Sequence, residues 1–180
     1  MCKIWNKQSR IIIIFILYIC FLGIGDKIFK RNTVLNVTQS EPLGYYWIFN
    51  KNPITKGKLY LICLKEKKYN EVLMKLNAPI SNKCNSNLAP LIKKIVAGPR
   101  DTIRVSTDGI YINNILMPNS KFINNALGVN LYPKAIGYKK QLGNDEYWVM
   151  GNPSTSFDSR YFGIISKNEI LNEVIKVPLI

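Results

Sequence analysis

The chain has 180 residues, 25 of them basic and 11 acidic, a formal net charge of +14, and 47% hydrophobic composition. That is enough apolar material for one domain with a real core and excludes disorder; the lysines are scattered through an Ile-, Asn- and Lys-rich background, so nucleic acid is not the expected partner. There is no histidine, and the four cysteines at 2, 20, 63 and 84 form no Cys-x-x-Cys pair, which removes His-dependent triads and expects neither metal nor other cofactor.

Lys3, Lys7 and Arg10 precede an uncharged run from Ile11 to Gly25. As helix, that run spans roughly 22 Å, short of a hydrocarbon core of about 30 Å. The basic flank and the small Gly23 and Gly25 fit a cleaved signal peptide, whereas snorkelling of Lys27 or local bilayer thinning lets the same segment serve as an anchor. The anchor is the preferred reading for residues 1–30, leaving 31–180 as one domain. Lys27, Lys30 and Arg31 match the basic residues ahead of the run, so charge does not set its orientation.

The next stretch, Val37 to Tyr46, places Ser40 ahead of Glu41-Pro42-Leu43-Gly44. Pro42 fixes its own φ and biases Glu41 toward extended backbone, and Gly44 permits reversal into the aromatic strand Tyr45 to Phe49. A serine fixed beside free backbone N–H groups suits a nucleophile next to an oxyanion hole; a plain turn serine has the same signature. Without histidine, a nucleophilic serine needs a lysine or a carboxylate to activate it.

Strand-like segments follow at 59–64 and 91–97, with a helical pattern at 65–76 that turns Val72, Leu73 and Leu76 inward and a loop from Asn77 to Asn87. Cys63 and Cys84 enclose a loop whose closure by a disulfide is worth about 3 kcal/mol, the simplest use of the two thiols outside the cytosol. In Leu91-Ile92-Lys93-Lys94-Ile95-Val96-Ala97, period-two alternation puts the two lysines on opposite faces. One points into an apolar layer, with a lowered pKa, unless the strand is an edge defended by charge. Residues 102–105 and 110–112 form a hairpin about Asp108-Gly109. Residues 118–143 carry few signals. Glu146 to Met150 is a strand, Lys167 to Ile175 includes a helical turn, and Val174 to Leu179 is a last strand. In the segment Gly151 to Gly163, Asp158 and Arg160 form a charge-assisted pair bracing the turn, and Ser156 can bond an amine. The sum is a small, mostly-β domain.

Together these stretches resemble the signal peptidase clan of membrane-bound Ser/Lys serine peptidases, in particular the TraF-type conjugal transfer peptidases. Ser40, Pro42, Gly44 and Tyr46 match Ser-x-Pro-x-Gly-x-Tyr, with Thr38 two residues before the serine. Cys84 followed by Pro90-Leu91-Ile92-Lys93-Lys94-Ile95-Val96 is similar to the segment in which a cysteine precedes Pro-Leu-Leu-Lys-Arg-Val. Residues 156–163 match Ser-x-Asp-Ser-Arg-Tyr-x-Gly, and Arg100 stands where the clan's Gly-Asp turn has glycine. The resemblance implies a compact signal-peptidase-like β-barrel with a short N-terminal hydrophobic helix. It implies Ser40 as nucleophile, Lys93 as general base, the Ser40 N–H and Thr38 as oxyanion donors, Ser156 as the residue orienting Lys93, and Asp158 and Arg160 as the supporting wall. The activity implied is cleavage of an exported precursor, a conjugative pilin in this branch, with hydrolysis or cyclisation from one acyl-enzyme. The implied location is the inner membrane, with the catalytic domain on the periplasmic side, or the periplasm if the N-terminal segment is cleaved. The alternatives are a general type I signal peptidase and a non-catalytic anchored scaffold of a secretion apparatus.

Overall fold

A computed structural model of the chain describes residues 7–50, 53–65, 67–126, 129–131, 133 and 135–178. It divides into two compact units, Met1–Val34 and Leu35–Ile180. The first is built on one helix, α1 (Lys7–Asn32). The apolar run was expected to stop near Gly25, but the helix continues without a break through Lys27, Lys30 and Arg31. Its stretch Ile11–Asn32 has 22 residues, about 33 Å of helix and long and apolar enough to cross a membrane. The helix ends where Asn32 Nδ2 and Thr33 Oγ1 donate to the carbonyls of Ile28 and Phe29, while Lys30 and Arg31 complement the negative end of the dipole. Apolar side chains all round it, Ile12, Phe15 and Phe21 among them, are exposed, which fits a membrane anchor or a signal sequence.

The second unit is mostly β. In chain order come β1 (Thr33–Asn36), β2 (Gly44–Ile48), β3 (Leu59–Ile62), α2 (Lys67–Lys75), β4 (Leu91–Ala97), β5 (Thr102–Ser106), β6 (Gly109–Ile112) and β7 (Ile115–Leu116). Then follow β8 (Asn125–Ala126), β9 (Val129–Asn130), β10 (Lys139–Gln141), β11 (Glu146–Met150), α3 (Ser159–Phe162), β12 (Ile165–Ser166), a 3-10 turn (Lys167–Glu169) and β13 (Ile170–Lys176). The larger sheet has the order β1-β2-β13-β3-β4-β11-β12, the smaller β10-β5-β6-β7, and β8-β9 form a ribbon. Among the described residues the ladders make open sheets, not a closed ring. The last strand begins at Ile170, earlier than expected, because Ile170 and Val174 are both buried and pair with Ile62 on β3 and Ile48 on β2. The helical turn ahead of it is confined to three residues by a Ser166–Glu169 capping box.

Two apolar cores meet along β4 and β11. Ile95, Tyr147 and Val149 belong to one, with Tyr60, Ile62, Phe157 and Phe162; Ala97, Trp148 and Met150 belong to the other, with Ile103, Val105 and Ile110. Each fully buried large side chain contributes about 1.5–3 kcal/mol, so both faces of these strands are held by packing. Leu73 of α2 is buried in the first core with Val72 and Leu76 packed beside it, the face expected from the periodicity. Cys63 and Cys84 form a disulfide with Cα atoms 5.6 Å apart, closing the loop that carries α2.

Candidate active site

The turn carrying Ser40 is held from beneath by Asn36, a residue that no motif or spacing singles out. Its side-chain N–H group reaches the carbonyls of Thr38, Glu41 and Pro42, and its Oδ1 accepts from the Thr38 N–H and the Thr38 hydroxyl. The Tyr46 hydroxyl donates to the Pro42 carbonyl at 2.8 Å, and the Asn152 N–H donates to the Ser40 carbonyl at 3.0 Å. Gly44 sits at φ +123°, a conformation closed to most side chains, so the chain can leave the turn directly into β2.

Lys93 lies mid-strand in β4. Alternation could not say which lysine points inward; the neighbours decide it. β4 runs between β3 and β11, so it is not an edge, and Lys93 is 1% exposed while Lys94 is half-buried. Lys93 Nζ donates to Ser156 Oγ at 2.8 Å, and the Ser156 and Ser40 hydroxyls lie 3.4 Å apart. Burial pushes the Lys93 amine down to about 8, against the raising influence of Asp158 and Glu41, with Arg160 lowering it further. An uncharged amine so placed can accept a proton from a hydroxyl, directly or relayed through Ser156.

The loop after β11 brings Ser156 to this point. Gly151 is required there: an added Cβ would collide with the side chain of Ser156, whose own Cβ would be 2.7 Å away. The Gly151 N–H donates to Asp158 Oδ2 at 2.8 Å. Asp158 and Arg160 are both 0% exposed and pair at 2.7 Å. Arg160 spends its remaining N–H groups on the carbonyls of Asn119, Lys121, Pro153, Ser154 and Ser156. The fixed planar fork of arginine makes one residue hold two loops. In β11 the register shifts between Trp148 and Val149, and the Val149 N–H instead donates to Ser159 Oγ.

A cleft of about 440 Å³ opens beside Ser40, lined by Gln39, Glu41, Pro42, Leu43, Asn119, Asn152 and Pro153. Glu41 in its wall is 6% exposed. Burial raises its pKa, opposed by Lys94, Lys93 and the Asn152 N–H. Sequence reading passed over it as a turn residue. The structure therefore brings Ser40, Lys93, Ser156, Asp158 and Arg160 into one neighbourhood. Thr38 is exposed, with its hydroxyl committed to Asn36.

The family model "Signal peptidase, peptidase S26" matches residues 5–178. A plasmid transfer protein TraF of Escherichia coli is 30% identical over 137 residues, 76% of each chain. A conjugal transfer protein TraF of Agrobacterium fabrum (strain C58) is 25% identical over 160 residues, 84% of this chain and 89% of its own. A crystal structure of a signal peptidase I from Enterococcus faecalis V583 superposes with a TM-score of 0.38 at 16% identity, covering 69% of this chain and 98% of that one.

Proposed function

We propose that this chain, which belongs to the signal peptidase, peptidase S26, family, is a membrane-associated serine endopeptidase with Ser40 as nucleophile and Lys93 as general base. What supports the reading is the chain of contacts from the Ser40 hydroxyl through the Ser156 hydroxyl to a buried amine with a pKa of about 8. Neutral Lys93 takes the Ser40 proton as Oγ attacks the carbonyl of a peptide bond. The protonated amine then gives the proton to the leaving nitrogen as the C–N bond breaks, leaving an acyl-enzyme on Ser40. The oxyanion is received by the Ser40 backbone N–H, for which no described residue is an acceptor; one such donor is worth about 3 kcal/mol. Thr38 joins it only by releasing Asn36. Ser156 orients Lys93, while Asp158 and Arg160 hold Ser156 in place without touching the reacting atoms.

The similarity to plasmid and conjugal transfer proteins supports a conjugative pilin precursor as substrate, met at the inner membrane with the catalytic domain on the periplasmic side. The acyl-enzyme is resolved by water or by the pilin's own N-terminal amine. Incubation of the full chain with a candidate pilin precursor tests this by product mass: a linear product means hydrolysis, and a product lighter by one water means cyclisation. Cleavage is expected to be lost in Ser40→Ala and Lys93→Ala, retained in Lys94→Ala, and to rise in the wild type as pH increases through about 8. Undiminished cleavage by Ser40→Ala overturns the assignment. Accumulation of many unrelated precursors in a deletion strain would point instead to a general type I signal peptidase.

A further inference from the structure

The chain carries 25 basic residues against 11 acidic ones, yet the cleft beside Ser40 inverts that balance. Among its described lining residues there is no lysine or arginine, and the one charged side chain is Glu41. That carboxylate is set into the wall: Glu41 is 6% exposed, and its Oε1 is buried with no hydrogen-bond partner among the described residues. Glu41 forms no ion pair among them either. Lys94 and Lys93 on β4 act on it without such a contact, and Lys93 Nζ is bonded to Ser156 Oγ. A buried carboxylate oxygen left without a donor costs about 1–3 kcal/mol or more. A ligand group that supplies the donor removes that cost.

The backbone of Glu41 is pinned, so the residue stays in the wall. Its carbonyl accepts from Asn36 Nδ2 at 2.8 Å, the Ser40 carbonyl before it accepts from the Asn152 N–H at 3.0 Å, and Pro42 fixes the next φ. Two polar neighbours in the cleft are partly spent on each other, Asn119 Nδ2 donating to the Asn152 carbonyl at 3.2 Å.

We propose that this cleft is a subsite for an ammonium group of the peptide ligand, with the Glu41 carboxylate as its acceptor. The proposal rests on the Ser40–Lys93 reading above, which makes the ligand a peptide. A cation is favoured over a neutral donor because a charge-assisted hydrogen bond is about twice as strong, and a buried carboxylate has little solvent to screen it. The same charge disfavours acidic groups beside Ser40. Two parts of a peptide carry an ammonium: a lysine side chain near the scissile bond and a free α-amine.

The test is calorimetric titration of the full chain in detergent, in the Ser40→Ala background so that the peptides stay intact, as mass confirms. The probes are short alanine-rich peptides with a central lysine or with norleucine, its uncharged counterpart, each with a free or an acetylated N-terminus. A peptide bearing the right ammonium is expected to bind about tenfold more tightly than acetylated norleucine peptide. A difference between lysine and norleucine assigns the side chain; a difference between free and acetylated termini assigns the α-amine. In Glu41→Gln, which keeps shape and loses charge, the preference should vanish while the acetylated norleucine peptide binds as before. If Glu41→Gln does not fold, Glu41→Asp, which withdraws the carboxylate by one methylene, is read instead and should cut the preference severalfold. Equal or undetectable binding of charged and uncharged peptides, or a preference undiminished in a folded Glu41 variant, overturns the subsite. Binding needs no turnover, so this outcome is separate from the dyad reading, which fails by itself if Ser40→Ala still cleaves.

Discussion

Two turns of this domain are closed by the same device and put to different uses. Asp101 follows β4 and Asp158 follows β11, and each accepts the backbone N–H of the glycine just past its strand, Gly98 at 2.9 Å and Gly151 at 2.8 Å. The difference lies in the cation. Asp101 is paired with Lys56, whose side chain is 56% exposed, and helped by the Asn113 amide. Asp158 is paired with Arg160 at 0% exposure on both sides. A surface turn can use a flexible lysine that solvent also serves. The turn that holds Ser156 against Lys93 uses a guanidinium that cannot lose its proton and whose geometry also ties down the loop of Asn119 and Lys121.

The comparison is broken most directly by removing each cation. Arg160→Ala leaves a buried uncompensated carboxylate and is expected to cost about 3–5 kcal/mol in urea denaturation, with precursor cleavage lost; Lys56→Ala should cost under about 1 kcal/mol. Equal costs would refute the contrast. The two glycines sharpen it. Gly151→Ala drives a methyl into the side chain of Ser156 and should reduce cleavage by about a hundredfold or more, while Gly98→Ala meets the edge of the Tyr147 ring at 3.3 Å, a milder approach away from Ser156, and should reduce it less. A steady-state assay of both variants decides it.

Asp101 also makes a pH-dependent contribution. Burial alone would raise its pKa, but the Gly98 N–H, Lys56 and Asn113 outweigh burial and hold it below the usual carboxylate range. A lowered folded pKa means stability present above the unfolded value of about 3.9 and lost as pH falls through the folded one. The deficit of Asp101→Asn, about 1 kcal/mol at neutral pH, should therefore shrink below about pH 4 in urea midpoints. The smallest effect concerns Arg100, which sits at φ +72° where the clan resemblance has glycine. Arg100→Gly should gain about 0.5–1 kcal/mol by relieving that conformation.

Much of the site was legible because it is built on local rules. A lysine pair inside an apolar strand, a Pro-Gly turn after a serine and an Asp-x-Arg turn each carry their meaning within ten residues. Alternation alone did not choose between Lys93 and Lys94, a choice made by the resemblance, because which lysine is buried depends on β3 and β11 flanking β4, pairings made with residues distant in sequence. Glu41 was missed for the same reason: it shares its cleft with Asn119 and Asn152, residues distant in sequence. Asn36 gave no signal, because a cap that reaches carbonyls two to six residues ahead looks like any strand-end asparagine. The strands of residues 118–143 are two or three residues long, too short for a period to register. The extent of α1 was hidden by reading Lys27 and Lys30 as an end, though a helix already formed continues through charged residues with good propensity.

The most direct measurement is the mass of the full chain after rapid acid quenching with a pilin precursor. The Ser40–Lys93 mechanism requires an adduct of the N-terminal product on the peptide containing Ser40, absent in Ser40→Ala and in Lys93→Ala. Cleavage at the wild-type rate in Ser40→Ala, with no adduct in any form of the protein, would contradict it.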